Sequence, residues 1–185
     1  ETAKVELLTY ARENGVKPVK PFMLVIARDT THAGQLRELI EERLYEGRYQ
    51  GKVIQVDSSR SGSEEEEMIA RLLAVESVDE PTEIVIHVNM LKEGWDVTNL
   101  YTIVPLRAAN ARTLIEQSIG RGLRLPYGKR TGVAAVDRLN IVAHDKFQEI
   151  IDEANRGDSP IRLKQIILDV PSADDKKVSV QVGSG

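Results

Sequence analysis

The segment Gln117-Ser-Ile-Gly120-Arg121-Gly-Leu-Arg124 carries two arginines three residues apart, with a glutamine one turn before them. On a helix these three side chains share a face. Guanidinium groups stay charged and present planar forks of donors, so two of them aimed one way suit a polyphosphate better than a single carboxylate. Gly120 and Gly122 would each cost about 1 kcal/mol relative to alanine inside a helix, which makes this a poor plain helix and implies close approach by something else. From Arg107 to Arg130 the chain has six basic residues (Arg107, Arg112, Arg121, Arg124, Lys129, Arg130) and one acid, Glu116, although its net charge is -4. A solvated basic face accounts for the charge alone equally well.

Further polar residues gather in Arg28-Asp29-Thr30-Thr31, in Ser58-Ser59-Arg60-Ser61-Gly62, in Lys92-Glu93-Gly94-Trp95-Asp96 and from Arg107 to Asn110. Hydroxyls, glycines and arginines in such loops suit phosphate oxygens. They also suit helix capping, since Thr30 and Ser63 each precede a predicted helix and Asp96 could do the same. Trp95 reads as a core anchor for its loop. Other chemistries are excluded. No cysteine is present, which removes thiol catalysis, thiolate zinc and disulfides. His32, His87 and His144 have no paired spacing for a metal. The nearest approach to a phosphate-binding GxxxxGK[ST] loop, Gly128-Lys129-Arg130, lacks both the upstream glycine and the hydroxyl. Asp79-Glu80 precedes an apolar run rather than ending one, so it does not read as a magnesium-binding acid at a strand end.

The elements that must position these loops read as a β/α ladder. Apolar runs at Phe22–Ala27, Lys52–Asp57, Ile84–Val88, Tyr101–Val104 and Leu139–Ala143 predict strands buried on both faces, as in a parallel sheet. Between them, Ala33–Tyr45 places Leu36, Leu39, Ile40 and Leu44 on one helical face, and Glu65–Val75 does so with Met68, Ile69, Leu72 and Leu73. Ala111–Leu123 and His144–Asn155 have the same period. Ala3–Glu13 predicts a leading helix ended by Gly15, and Ile161–Val170 and Lys177–Val182 are extended segments, either added edge strands or the start of another domain. With 185 residues, 41% hydrophobic and 29% charged, the chain can build one ordinary core, with no run long enough to span a membrane. The opening at Glu1 and the Gly-Ser-Gly end read as those of a piece of something larger.

These motifs, in this order, carry a family resemblance. Gln117-x-x-Gly120-Arg121-x-x-Arg124 resembles motif VI of superfamily 2 helicases and translocases, and Lys92-Glu-Gly94-Trp-Asp96-Val resembles motif V. The run from Val88 to Pro126 is most similar to the restriction (Res) subunit of type III restriction enzymes, and the strand at Phe22 followed by a helix beginning at Thr30 fits motif IV. The resemblance implies an α/β, RecA-like parallel sheet with helices on both faces, the second motor domain of an ATP-dependent DNA helicase or translocase. It implies a leading helix and linker over residues 1–20, the RecA-like domain over 21–157, and a C-terminal extension or the start of a further domain over 158–185. By the same resemblance Arg121, Arg124 and Gln117 are catalytic, and Gly94, Asp96 and Gly120 lie at the nucleotide. Arg28, Ser58, Ser59 and Arg60 would face a nucleic-acid backbone. ATP and Mg2+ would be shared with an N-terminal RecA-like domain of the same polypeptide, so this chain alone is expected to be inactive. DNA, and a modification methyltransferase subunit, would be its partners in the cytoplasm. Two other readings stay open: a non-catalytic α/β module binding an anion or a partner, and a superfamily 2 motor acting on RNA or chromatin.

Overall fold

Apolar runs of four to six residues with no clean alternation bury both faces when helices cover them, and this chain builds its sheet from such runs. The computed structural model describes residues 1–57, 61–88, 97–106 and 126–143, together with the strands at 162–167 and 178–183. Strands β1 (Phe22–Ile26), β2 (Val53–Val56), β3 (Ile84–His87), β4 (Leu100–Pro105) and β5 (Leu139–Ala143) run parallel, in the spatial order β2-β3-β1-β4-β5. Each end lies within one residue of the predicted strand. The two extended segments near the C-terminus join the same sheet: β6 (Arg162–Ile167) and β7 (Val178–Gly183) pair antiparallel, and β7 pairs antiparallel with β5.

Helix α2 (Thr30–Glu38) follows β1, and helix α3 (Ser63–Leu73) follows β2. Ala33 and Leu36 of α2, with Ile40 just beyond it, pack on Val25, Val53, Ile84 and Ile86. The step from β1 to β2 and the step back from β2 to β3 run in opposite directions across the sheet. Right-handed crossovers therefore place α2 and α3 on opposite faces. On α3, Met68 and Leu72 are buried. Leu24, Ile26, Val85, Ile86 and Ile103 are fully buried between the layers, each contributing about 1.5 to 3 kcal/mol relative to exposure.

The helical faces need correction. Leu39 and Leu44 are each 39% exposed and Leu73 is 66% exposed. The reason for the first two is a π-helical turn at Leu39–Arg43 followed by a 3-10 turn at Leu44–Gly47, which break the 3.6-residue period after Glu38. Tyr45 and Glu46 there take left-handed φ of 54° and 56°. The caps also sit one residue earlier than the hydroxyls suggest. Thr30 and Ser63 are the first helical residues, and the cap of α2 is Asp29, whose Oδ1 accepts from His32 N at 2.8 Å.

Helix α1 (Thr2–Asn14) ends on Gly15 at φ 63°, ψ 29°. It lies along the amino edge of the sheet. Leu7 packs with Tyr101 and Val136, Lys4 pairs with Glu83 just before β3, and Glu6 pairs with Arg138 just before β5.

Candidate functional site

Parallel sheets place ligands at the carboxyl ends of their strands, where the connecting loops emerge together. Here those ends are stitched into one row by backbone hydrogen bonds. Val88 N donates to Val56 O (3.2 Å), Ala27 N to His87 O (2.9 Å) and Leu106 N to Ile26 O (2.9 Å). Four strand ends, β2-β3-β1-β4, are thus adjacent, and each leads within a few residues to a segment singled out by the sequence. β1 leads to Arg28, β2 to residues 58–60, β3 to residues 89–96 and β4 to residues 107–125.

Of the predicted site residues, the structure describes Arg28. Ser58, Ser59, Arg60, Gly94, Asp96, Gln117, Gly120, Arg121 and Arg124 lie outside the described residues, as do Trp95 and His144 and the helices predicted at Ala111–Leu123 and His144–Asn155. Arg28 is exposed, one residue beyond the buried Ala27. Its backbone N and its Nε both donate to His32 Nδ1, at 3.2 and 3.3 Å. Burial and the neighbouring Arg28 cation hold the His32 imidazole below its ordinary value, with Asp29 opposing them. It is therefore neutral near pH 7, as an Nδ1 acceptor must be.

Two further polar groups at this edge escaped the sequence reading. Asp57 is 9% exposed directly after β2, and its Oδ2 accepts from Gln55 Nε2. His87 is fully buried at the end of β3, in register with Ile26 and Val56, and neither ring nitrogen has a partner among the described residues. Burial alone pushes its imidazole down to about 4. No sequence signal separates His87 from an ordinary core histidine. His32 did have one, its four-residue spacing from Arg28 across a helix start. Asp79 and Glu80 precede β3, as read from the sequence. Burial would raise the Glu80 carboxyl, but hydrogen bonds from Thr82 and Arg71 hold it below its usual value.

Among the described residues, no cluster of three or more histidine or carboxylate side chains is placed to hold a metal, and no helix is long and apolar enough to cross a membrane. Among the described residues, this edge presents the exposed Arg28 guanidinium beside the neutral His32 acceptor, with the Asp29 and Asp57 carboxylates engaged by His32 N and Gln55 Nε2. That arrangement suits an anion.

No family model matches the chain. Its curated relatives are Res subunits of type III restriction-modification enzymes. The EcoPI subunit of Escherichia phage P1 and the EcoP15I subunit of Escherichia coli are each 42% identical over 50 residues, 27% of this chain and 5% of theirs. The StyLTI subunit of Salmonella typhimurium is 33% identical over 87 residues, 43% of this chain and 9% of its own. The chain thus spans less than a tenth of the length of these relatives. A solved DEAD-box helicase domain 2 bound to an RNA duplex aligns at a TM-score of 0.46 and 11% identity, over 70% of this chain and 46% of that one. In its sequence this chain is similar, over 27% to 43% of its length, to Res subunits of type III restriction-modification enzymes, and its five parallel strands with intervening helices form a parallel β/α sheet.

Proposed function

We propose that this chain is the second motor domain of an ATP-dependent DNA translocase of the type III restriction kind, completed by an N-terminal RecA-like domain of the same polypeptide. The observation that carries the reading is the row of strand ends Val56, His87, Ile26 and Pro105, from which four ligand-type segments start side by side. Segments so arranged can act on one ligand together, as loops scattered around a sheet could not. In this reading Gln117, Arg121 and Arg124 meet the phosphates of ATP across the cleft between domains, and Gly94, Asp96 and Gly120 line the nucleotide. Magnesium falls to the other domain.

Arg121 and Arg124 would neutralise charge that develops on the transferred phosphoryl group, the largest contribution protein side chains make to such reactions. Arg28, Ser58, Ser59 and Arg60 would hold the nucleic-acid backbone. Phosphate contacts without base reading suit a motor that steps over any sequence. DNA is the substrate assigned, and a modification methyltransferase subunit the partner of the whole enzyme.

The test is Arg121→Ala and Arg124→Ala in the complete polypeptide. DNA-stimulated ATP turnover should fall by roughly the 10³ to 10⁵ associated with an arginine finger, with ATP binding and thermal unfolding little changed. Lysine should restore only part of it, since a point charge does not reproduce the planar fork. Full turnover in both alanine variants, or unfolding of both, would make these arginines structural and end the proposal.

A further inference from the structure

His32 is a partly buried side chain that no motif includes, yet it holds Arg28 at two points. Its Nδ1 accepts from the Arg28 backbone N at 3.2 Å and from Arg28 Nε at 3.3 Å. The backbone bond fixes the turn between β1 and α2, and the Nε bond fixes the guanidinium plane, because Nε lies within it. Among the described residues the two terminal nitrogens of Arg28 have no hydrogen-bond partner. The helix N-terminus beside it is already occupied by a carboxylate, since Asp29 Oδ1 accepts from His32 N at 2.8 Å. Asp29 therefore closes the helix end to an anion and leaves the outer side of Arg28 as the cationic place.

We infer that His32 is a positioning residue, which locks the exposed Arg28 guanidinium with its terminal nitrogens free for a phosphate of a nucleic-acid backbone. The inference rests on the reading of Arg28 as a backbone contact and adds to it the group that sets its orientation. An unrestrained arginine must give up rotamer freedom on meeting a phosphate, whereas one held at Nε has lost part of that freedom on folding. The lock needs a neutral imidazole with its proton on Nε2. Burial and the Arg28 charge favour that state against the single opposing group, Asp29.

The experiment measures binding of a short oligodeoxythymidine to this chain at low salt, for Arg28→Ala, His32→Leu and His32→Asn. Asparagine can place an acceptor oxygen close to where Nδ1 stands; leucine has none. Arg28→Ala should weaken binding about three- to ten-fold and reduce the salt slope by roughly 0.7, as for one single-strand phosphate contact. His32→Leu should weaken it by a similar factor of about three to ten, the net value of one ordinary hydrogen bond, and His32→Asn should recover most of that loss. In a 15N spectrum the Arg28 Nε–H should be slow to exchange in the parent and His32→Asn chains and fast in His32→Leu. If Arg28→Ala leaves binding unchanged, the backbone-contact reading itself fails. If Arg28→Ala weakens binding while His32→Leu does not, that reading stands and the positioning role fails. The role also fails if asparagine rescues neither binding nor the slow Nε–H, or if both His32 variants lower the melting temperature as much as they weaken binding.

Discussion

At the amino edge of the sheet, most polar groups are mutually satisfied, with Asn99 Oδ1 and Arg138 Nε the buried exceptions among the described residues. Glu83 accepts from Lys4 and Lys52, and Arg71 reaches Glu80 Oε1 (3.1 Å), Thr82 Oγ1 (2.8 Å) and Gly51 O (3.0 Å). Asn99 Nδ2 bridges Lys20 O (2.8 Å) and Val75 O (3.1 Å), and Tyr101 OH donates to Val136 O (2.9 Å). At the carboxyl edge, Arg28 points an exposed guanidinium outward, and His87 is buried with both ring nitrogens unpartnered among the described residues. A buried polar group without a partner costs about 1 to 3 kcal/mol, and both edges carry some of this expense: single atoms of Asn99 and Arg138 at the amino edge, the whole polar complement of the His87 ring at the carboxyl edge. The two edges thus differ in degree: the amino edge is cross-linked by side chains from several elements, and the carboxyl edge is where the proposed ligand contacts lie.

The largest expected effect tests the carboxyl edge. The folded-state value of His87, about 4, lies below its ordinary 6.5, so between these values the unfolded chain binds a proton that the folded chain does not. Stability from this group is therefore complete above pH 6.5 and lost as the pH falls toward 4, by on the order of 3 kcal/mol. Thermal unfolding at pH 7.5 and 5.0 should show this fall, and His87→Leu should flatten it and raise stability near pH 7. A parent chain equally stable at both pH values would show that His87 is solvated or paired after all.

Next come the bridges of the amino edge. Asn99→Ala and Arg71→Ala should each cost about 1 to 3 kcal/mol in urea unfolding, because each strands buried or half-buried partners. Neither should change oligonucleotide binding. A loss of binding with intact stability would erase the distinction between the edges.

A smaller effect, of the opposite sign, is expected at the turn before β2. Glu46 has a side chain in the left-handed region, where glycine carries no steric penalty. Glu46→Gly should stabilise the chain by about 0.5 to 1 kcal/mol after the entropy gained by the unfolded state is subtracted. A destabilised variant would mean that Glu46 makes a contact worth more than its strain. The smallest effect is on stability at Arg28: its alanine variant should unfold within about 0.5 kcal/mol of the parent, as an exposed side chain should. A larger loss would move Arg28 from ligand to scaffold.

The strands were legible because each is a short apolar run bounded by polar or turn residues, and burial on both faces leaves little freedom in where such a run ends. Helix faces were less legible. Leu39 and Leu44 fit a 3.6-residue period on paper, but the π turn at Leu39–Arg43 and the 3-10 turn after it leave both partly exposed, and nothing in Leu39-Ile-Glu-Glu-Arg43 announces a change of pitch. At the candidate site, Arg28 was found from its place after an apolar run. The His32 lock needed coordinates, since spacing brings two residues near each other without saying which nitrogen accepts. His87 shows the limit most plainly. Its burial and lack of partners are properties of the packing around β3, not of the letters beside it.

The place of β1 has a consequence for how the chain is made. Of the strands in this sheet it is the earliest in the sequence, yet it ends between β3 and β4, where Met23 pairs with Ile84 on one side and Thr102 on the other. Neither neighbour has left the ribosome when β1 does. Such non-local parallel pairing is slow to form and leaves apolar strands exposed in the meantime. The Phe22-Met-Leu-Val-Ile26 run is flanked by Lys20 on one side and Arg28-Asp29 on the other. Charges in those positions act as gatekeepers against edge-to-edge aggregation of a nascent strand. On this account Arg28 has a use in the unfinished chain that does not depend on any ligand of the finished one.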